Sequence, residues 1–175
     1  MYKREKYTLT ALSEEHLSLC NNLQNDEKTY QNLINIKFTN LKLDSEWVNN
    51  QKPEENLIGC YNNIPISRIR STYLSPDRDI IELGLDIIPN ERGKGHSKLF
   101  YKLLFSYFFS YKKIRMIYLR VLNTNTLASS AYEKIGFVKC GLYPKYIIRE
   151  GKELDYLIYF KELDEKDIWS SNTSI

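Results

Sequence analysis

A loop with two glycines, placed between a predicted strand and a predicted helix, is the segment of this 175-residue chain best suited to chemistry. It reads Arg92-Gly93-Lys94-Gly95-His96-Ser97 and follows Pro89, which cannot donate a ladder hydrogen bond and so ends the strand. Alternate glycines allow positive φ and close approach of a ligand. The first N–H groups of a helix lack internal partners, and the helix dipole favours negative charge there. The loop therefore predicts a pyrophosphate site, with Arg92 and Lys94 adding charge-assisted contacts.

The glycine spacing by itself leaves two interpretations open, a ligand loop or an ordinary strand–turn–helix connection. It lacks the longer spacer and the Gly-Lys-Ser/Thr ending of a Walker loop. It also lacks the third glycine and the repeating parallel fold of a dinucleotide-binding fingerprint. The spacing thus indicates an anion site without naming the ligand.

Acidic residues inside the preceding strand, Ile80–Ile88, are a second candidate for chemistry. Alternation places four apolar residues on one face and Glu82, Gly84 and Asp86 on the other. Glu82 is a candidate general base, acting directly or through water, and Asp86 is a weaker one. The competing interpretation is a carboxylate paired with Arg68 or Arg70 on the adjacent strand. Gly84 would let a cofactor or substrate approach the strand.

The elements around these residues follow in an order that predicts a mixed fold. A strand at Tyr7–Leu12 precedes a helix that starts at Ser13, and another helix starts at Asp44, whereas the stretch between Asp26 and Leu43 has no clear periodicity. Later segments alternate as strands, a long helix from about Gly93 to Tyr111, and a closing hairpin. The predicted later elements are Leu57–Tyr61, Ile64–Leu74, Ile80–Ile88, Met116–Leu122, the helix Asn125–Ile135, Phe137–Leu142, Tyr146–Arg149 and Glu153–Phe160.

Hairpins together with a strand–helix–strand crossover predict an α+β, or mixed α/β, single domain over residues 1–175. Its central sheet should be mostly antiparallel, with about seven strands flanked by helices. Residues 165–175 are expected to form a polar tail. The aromatic-rich long helix should be mostly core, with Phe105 or Phe109 as candidates for contact with a second subunit in a homodimer.

Several motifs in order resemble the GNAT superfamily of N-acetyltransferases. Arg92-Gly93-Lys94-Gly95-His96-Ser97 is similar to its Q/R-x-x-G-x-G/A loop for the acetyl-CoA pyrophosphate. Asn125-Thr126-Leu127-Ala128 and Tyr132-Glu133-Lys134-Ile135-Gly136-Phe137 resemble the second half of that superfamily. Glu82-Leu83-Gly84-Leu85 and the segment from Arg149 to Asp155 resemble the branch with ribosomal-protein N-terminal and spermidine acetyltransferases. The resemblance covers about Leu57 to Leu163.

The resemblance implies roles for individual residues. Tyr132 would be the general acid for the leaving thiolate, and Glu82 the base; alternatively, Tyr132 only fills a helix face. Asn125 would contact CoA or merely cap its helix. His96 stands where the family usually has an apolar residue and is expected to face solvent or touch CoA phosphates. The predicted CoA-binding residues are Ile87, Ile88, Arg92, Gly93, Lys94, Gly95, His96, Ser97, Asn125 and Ala128.

Composition narrows the classes of function. A net charge of +3, spread without stripes or nucleic-acid motifs, argues against nucleic-acid binding. The sequence has neither an apolar run of about 20 residues to span a membrane nor a signal core, so a cytoplasmic location is expected. Cys20, Cys60 and Cys140 are odd in number and lack metal-ligand spacing, so no metal site is predicted.

The sequence therefore predicts an acetyl-CoA-dependent N-acetyltransferase that acts by direct attack in a ternary complex. The acceptor would be a primary amine: a small molecule, an amino sugar, a polyamine or a protein N-terminus. Asp26, Glu27, Asp44 and Glu46 would suit a polyamine, whereas Arg68 and Arg70 would suit an anionic acceptor. The alternatives are an acyl-CoA-binding sensor without turnover and a nucleotide-binding regulator.

Overall fold

A computed structural model describes residues 2–4, 6–32, 42–52 and 55–169. Their strands form one eight-stranded sheet. The strands are β1 (Tyr2–Arg4), β2 (Tyr7–Ala11), β3 (Asn56–Tyr61), β4 (Ile64–Tyr73), β5 (Ile80–Ile87), β6 (Met116–Leu122), β7 (Val138–Arg149) and β8 (Lys152–Glu162), in the spatial order β1-β2-β3-β4-β5-β6-β8-β7. Only the β5–β6 pair is parallel among these strands. The predicted mixed, mostly antiparallel sheet is confirmed, with β1 as the unpredicted strand.

Helices cover both faces of the sheet. They are α1 (Leu17–Gln24), α2 (Glu27–Asn32), α3 (Ser45–Asn49), α4 (His96–Lys112) and α5 (Thr126–Lys134). The larger core lies under α4, whose buried face includes Phe100, Tyr101, Leu103, Leu104, Phe105 and Phe108. A smaller core lies on the opposite face, where α1 and α3 pack on β2 and β3 through Leu12, Leu19, Cys20, Leu23, Val48, Ile58 and Cys60.

Local chemistry explains several element boundaries. Asn62 and Asn63 take φ of 50° and 65° and join β3 to β4 in the predicted tight hairpin. Gly59 on β3 leaves room for the Phe100 ring. A Cβ on this residue would come within 2.5 Å of a ring carbon. Pro89 starts a single 3₁₀ turn, Pro89–Glu91, directly after β5, as expected of a residue that cannot extend a ladder.

Several details of the structure differ from the predicted elements. The two short strands predicted around residues 137–149 are one strand, β7, whose register shifts between Tyr143 and Ile147. The shift contains Pro144, which is tolerated because β7 is an edge strand. Helix α2 lies at the start of the stretch between Asp26 and Leu43, for which the sequence predicted no element. Residues 33–41 of this stretch lie outside the described residues. Phe105 is 3% exposed in the core and cannot form a subunit contact.

The C-terminal segment is also more ordered than a polar tail. Glu165–Asp167 form a 3₁₀ turn, Lys161 pairs with Asp167 at 3.0 Å, and Trp169 packs against the main core. Residues 170–175 of the predicted tail lie outside the described residues.

Candidate functional site

A cleft opens where the parallel strands separate. β5 and β6 pair over three positions, Ile80↔Met116, Ile81↔Ile117 and Glu82↔Tyr118, although each strand continues for several residues beyond them. β5 remains paired with β4 along this whole length, down to Ile87. The cleft therefore has β5 as one wall, and it ends at the glycine loop that follows this strand.

The backbone of β5 presents hydrogen-bonding groups to this cleft. At its two ends, the Ile80 carbonyl accepts from Leu74 N–H at 2.9 Å and the Ile88 N–H donates to Ile66 at 3.0 Å, so both face β4. Because backbone direction alternates along a strand, the even-numbered residues face β4. Ile81 and Leu83 then face β6, where the Leu83 N–H takes part in the rung to Tyr118. Beyond this rung, the backbone groups of Leu85 and the N–H of Ile87 point into the cleft. A ligand lying along β5 could pair with them as an added strand would.

The glycine loop has several features that suit an anion. Gly93 and Gly95 have φ of 76° and 84°, and a Cβ on either would meet nothing within 4 Å, so both face open space. Gly95 is the N-cap of α4, and no side chain caps this helix. Its first-turn N–H groups, including that of Ser97, lack side-chain acceptors in the described residues. These groups and the helix dipole suit a pyrophosphate.

Arg92 anchors the loop to the N-terminal part of the chain. Its Nε donates to the Ile87 carbonyl at 2.8 Å, and its Nη2 donates to Thr29 Oγ1 at 2.7 Å and to the Asp26 carboxylate at 2.8 Å. Burial raises the pKa of Asp26, but hydrogen bonds from Arg92 and Thr29 outweigh it and hold the pKa below its usual value. The Arg92 side chain is thus used within the protein. Lys94, predicted as a phosphate contact, pairs with Glu91 at 3.0 Å on the surface.

His96 does not face solvent, so that expectation was wrong. Its imidazole is 6% exposed and lies between the rings of Tyr7 and Tyr61. The Tyr7 hydroxyl is 2.7 Å from Nδ1, and the Glu91 carboxylate is 3.0 Å from Nε2. A neutral imidazole with its hydrogen on Nε2 satisfies both partners, since the hydroxyl then donates to Nδ1. Any contact of His96 with phosphate would use its backbone N–H.

Both acidic side chains of β5 are paired with arginine. Glu82 Oε1 accepts from Arg120 Nε on β6 at 2.5 Å, and Asp86 Oδ2 accepts from Arg70 on β4 at 2.5 Å. The hydrogen bond that Arg120 donates to Glu82 raises the pKa of Arg120. The competing interpretation of an ion-paired carboxylate is therefore observed. The partner of Glu82 is Arg120, however, and not Arg68 or Arg70. Nor is Gly84 open to a ligand, because a Cβ there would meet the Arg70 guanidinium at 3.4 Å.

Tyr132 lies at the end of α5, in an aromatic group with Tyr101, Phe137 and Tyr159. Burial raises the pKa of its phenol to about 12, and the Tyr101 hydroxyl partly offsets this effect. The Asp86 carboxylate on β5 also raises this pKa. The Tyr101 hydroxyl is itself buried, and no hydrogen-bond partner for it lies among the described residues. The two phenols therefore interact electrostatically without hydrogen-bond geometry.

The remaining predicted contacts divide between capping and packing. Asn125 is the N-cap of α5 and accepts from the Ala128 N–H at 3.2 Å, while Ala128 packs on the main core. The Ile88 N–H donates to the Ile66 carbonyl, and the Ile88 carbonyl accepts from the Glu91 N–H. The Ile88 side chain packs against both cores. Ile88 is thus a structural residue, and Ile87 retains an N–H toward the cleft.

Sequence reasoning missed Arg120, Tyr156 and the Tyr7–His96 contact. Alternation in β6 does put Arg120 on the same face as Tyr118, which pairs with Glu82. This signal can be used only once β5 and β6 are known to be parallel neighbours. Tyr156 on β8 lies under the Arg120 guanidinium at 5.3 Å, and burial raises its pKa to about 12.

Metal-binding clusters and membrane-spanning helices are absent from the described residues. No group of three or more His, Cys, Asp or Glu side chains there is arranged to hold a metal ion. None of the helices described is long and apolar enough to cross a membrane.

Neither a family model nor a curated protein matches this chain by sequence. Solved structures do match it. A GNAT-family acetyltransferase from Bacillus anthracis has a TM-score of 0.79 and 19% identity, over 92% of this chain and 97% of that one. Spermidine N-acetyltransferase from Vibrio cholerae in complex with CoA and spermine has a TM-score of 0.77 and 18% identity, over 91% and 96%. A putative phosphinothricin N-acetyltransferase has 0.72 and 20%, over 91% and 99%. The chain thus has the GNAT fold, which confirms the fold that the resemblance implied.

Proposed function

We propose that this protein, which has the fold of GNAT acetyltransferases, transfers an acetyl group from acetyl-CoA to a primary amine. The proposal rests on three features that follow one another along the chain. The uncapped N-terminus of α4, the positive-φ glycines Gly93 and Gly95, and the cleft beside β5 are continuous in the chain. Together they suit a ligand with a pyrophosphate at one end and an amide-containing arm.

The residues present fit acetyl-CoA. The N–H groups from Gly93 to Ser97 would hold the pyrophosphate, and the cleft-facing groups of Leu85 and Ile87 would pair with the amides of the arm. Asn125 would supply a further contact from its Nδ2, because its Oδ1 already caps α5. Arg92 would act indirectly, by fixing the loop against Ile87 and α2.

Acetyl-CoA would supply the acetyl group as a thioester: the amine nitrogen bonds to the carbonyl carbon, the C–S bond breaks, and the amine gives up one proton as the sulfur gains one. The chain's part is to orient the reactants and move the protons. The cleft-facing N–H group of Leu85 is suited to donate to the developing oxyanion. Tyr132, whose pKa is raised to about 12, stays protonated at neutral pH and would donate its proton to the departing sulfur.

Removal of the amine proton is assigned to Glu82, directly or through water. The Arg120 ion pair occupies Oε1, so Oε2 is the oxygen that would accept the proton. Glu82 is 24% exposed, which leaves room for a water molecule beside it. Asp86 is the weaker candidate, because its Arg70 partner also covers Gly84.

The same ion pairs favour a second candidate function, an acyl-CoA-binding module without turnover. Both carboxylates next to the cleft are bound to arginine at 2.5 Å, so a structural ion pair accounts for each of them without a role in catalysis. Such a module would bind CoA at one site per chain and release no thiol.

One experiment separates the two functions. The protein is incubated with acetyl-CoA and a panel of primary amines, while free thiol is followed and products are identified by mass. Thiol release with a mass gain equal to one acetyl group on an amine supports the acetyltransferase. Stoichiometric CoA binding without release, across the whole panel, supports the binding module. Preference for ATP or NAD over CoA in a thermal-shift screen would contradict both.

The proposal includes a cytoplasmic location, which the three free cysteines support. Cys20 and Cys60 are buried thiols and Cys140 is exposed, with no disulfide among them. Unpaired thiols are common in reducing compartments.

A further inference from the structure

The sheet face opposite α4 carries a group of charged side chains beside the cleft, here called the arginine cluster: Arg68 and Arg70 of β4, Glu82 and Asp86 of β5, and Arg120 of β6. Register places them on neighbouring rungs, since Arg68 pairs with Asp86, Arg70 with Gly84, and Glu82 with Tyr118. The cluster contains three positive and two negative groups, so its net charge is +1.

Arg68 provides the charge that is left over. Glu82 and Asp86 are paired with Arg120 and Arg70, whereas Arg68 has no carboxylate within ion-pair distance among the described residues. Its Nη2 donates to Asn56 Oδ1 at 3.3 Å, and its guanidinium lies 4.8 Å from the centre of the Trp47 ring. Burial lowers the pKa of Arg68, followed by repulsion from Arg70, but a guanidinium stays charged in proteins.

Hydrogen-bond donors in the cluster are also unsatisfied. The Nε atoms of Arg68 and Arg70 are buried and have no partner among the described residues. A buried charged donor without an acceptor is costly, and an anionic ligand would supply one. Arg70 and Arg120 are 35% and 33% exposed, so their guanidinium groups can be reached from solvent.

We propose that the acceptor is a primary amine that also bears an anionic group, a carboxylate or a phosphate, and that the arginine cluster binds this group. The inference rests on the proposed function, because it assigns the acceptor side of the same cleft. A polyamine would bring several positive charges to a cluster that is already positive. The anionic end of the proposed acceptor would instead accept from the arginines while its amine faces the cleft beside β5.

Of the four acidic residues that could have favoured a polyamine, two are held by partners within the protein and two are exposed at helix starts. Asp26 is paired with Arg92, and Asp44 accepts from the Trp47 N–H at 2.9 Å as the N-cap of α3. Glu27 and Glu46 are exposed at the starts of their helices. Residues 33–41 contain Lys37 and no acidic residue, so their sequence adds no carboxylate to this balance.

Matched pairs of amines test the proposal. The protein saturated with CoA is titrated in a calorimeter with 4-aminobutanoate and 1,4-diaminobutane, and with 2-aminoethyl phosphate and 2-aminoethanol. In the first pair a second ammonium group replaces the carboxylate, as in a polyamine, and in the second pair a neutral hydroxyl replaces the phosphate. We expect at least one anionic amine to bind on the order of tenfold tighter than its partner, as one unit charge at short range allows. The carboxylate and phosphate arms show which anion is preferred. Equal or tighter binding of both non-anionic partners, or no binding of either anionic amine at millimolar concentration, overturns the proposal.

Two substitutions within the cluster have opposite expected effects. Arg68→Gln removes the uncompensated charge and should reduce the preference for the anionic amine by about tenfold. Asp86→Asn frees the Arg70 guanidinium and should increase the preference. Arg115→Gln is the control, because Arg115 pairs with Asp79 on the surface and its loss should leave the preference unchanged. Since a misfolded variant would lose binding of both members, the opposite shifts distinguish charge from folding.

Thiol release is measured separately, in the same samples with acetyl-CoA in place of CoA. Absence of release with every amine refutes the proposed function, while the binding preference still decides the inference. Release with polyamines at higher kcat/KM than with anionic amines would support the function and refute the inference.

Discussion

The Tyr7 hydroxyl lies 2.7 Å from Nδ1 of His96, a residue 89 positions further along the chain. This contact joins strand β2 to the first residue of α4, within the glycine loop. Tyr7→Phe leaves a buried imidazole nitrogen without its donor, so we expect a loss of about 1–3 kcal/mol in the free energy of unfolding. The double variant Tyr7→Phe/His96→Leu should regain part of it, because the buried Tyr7–His96 pair is then replaced by apolar groups and the Glu91 carboxylate keeps Lys94 as a partner. Urea denaturation of the two variants measures this difference; additive losses would contradict it.

Gly95→Ala should weaken CoA binding by about tenfold or more, because alanine disfavours the φ of 84° that shapes the loop, at a cost of about 1–2 kcal/mol. Gly151→Ala is the matched control, since Gly151 has φ of 75° in the β7–β8 hairpin and also faces open space. Both variants should lose similar stability, but only Gly95→Ala should lose CoA affinity in a direct titration. Equal affinity of the two variants would remove the loop from the CoA site.

Tyr132→Phe should lower kcat by roughly 10²–10⁴ and leave the Kd for CoA nearly unchanged, because only the proton donor is lost. The control is Tyr159→Phe. The Tyr159 ring lies next to the Tyr132 ring, but the Tyr159 hydroxyl donates to Glu133.

The pH profile gives an independent test of the same residue. Since the pKa of Tyr132 is raised to about 12, its phenol stays protonated over the range of ordinary assays. The kcat profile should show no loss of activity from Tyr132 ionisation below about pH 11. A wild-type fall near pH 10 that disappears in Tyr132→Phe would show that the phenol titrates normally.

Glu82→Gln and Arg120→Gln separate a catalytic base from a structural ion pair. If Glu82 accepts the proton, Glu82→Gln should lower kcat by about 10²-fold or more, and Arg120→Gln should retain most activity. If the pair is only structural, both variants should lose similar stability and the double variant should recover part of it. Steady-state kinetics and thermal unfolding of the three variants decide between these results.

Asp26→Asn should loosen the anchor that Arg92 provides. The pKa of Asp26 is held low in the folded protein, so its stabilising effect is complete above the unfolded value of about 3.8 and is lost as pH falls through the folded value. We expect the variant to lose about 1–2 kcal/mol of stability at pH 7 and to bind CoA more weakly. The stability difference from wild type should narrow below about pH 4. A difference that stays constant down to pH 2 would contradict the role of the ion pair.

The glycine loop and its flanking elements were predictable from sequence because their determinants are local. Proline ends β5, asparagines close the β3–β4 hairpin, and apolar spacing marks α4. The proposed binding of pyrophosphate depends on positive φ at Gly93 and Gly95, and glycine is the residue type that most readily takes positive φ. The same local logic failed at Pro144, where an edge strand accepts a residue that an interior strand would reject.

The partners of the site residues were not predictable, because they are set by which strands lie next to each other. Glu82 binds Arg120 across the single parallel pair, and His96 turns inward because Tyr7 and Glu91 are both within reach. Arg92 is used by Asp26 and Thr29, which lie more than 60 positions earlier. None of these contacts leaves a periodic trace in the sequence.

The short pairing between β5 and β6 also has a mechanical consequence. These three rungs are the backbone connection between strands β1–β5 and strands β6–β8 in the described sheet, whereas neighbouring antiparallel pairs run over seven positions. Resistance to widening the cleft must then come mainly from side-chain packing beneath α4. We expect the two halves of the sheet to separate most easily along this short pairing. The amide hydrogens of Ile81 and Tyr118, which face each other across the β5–β6 pair, should therefore exchange with solvent sooner than those in the middle of either half.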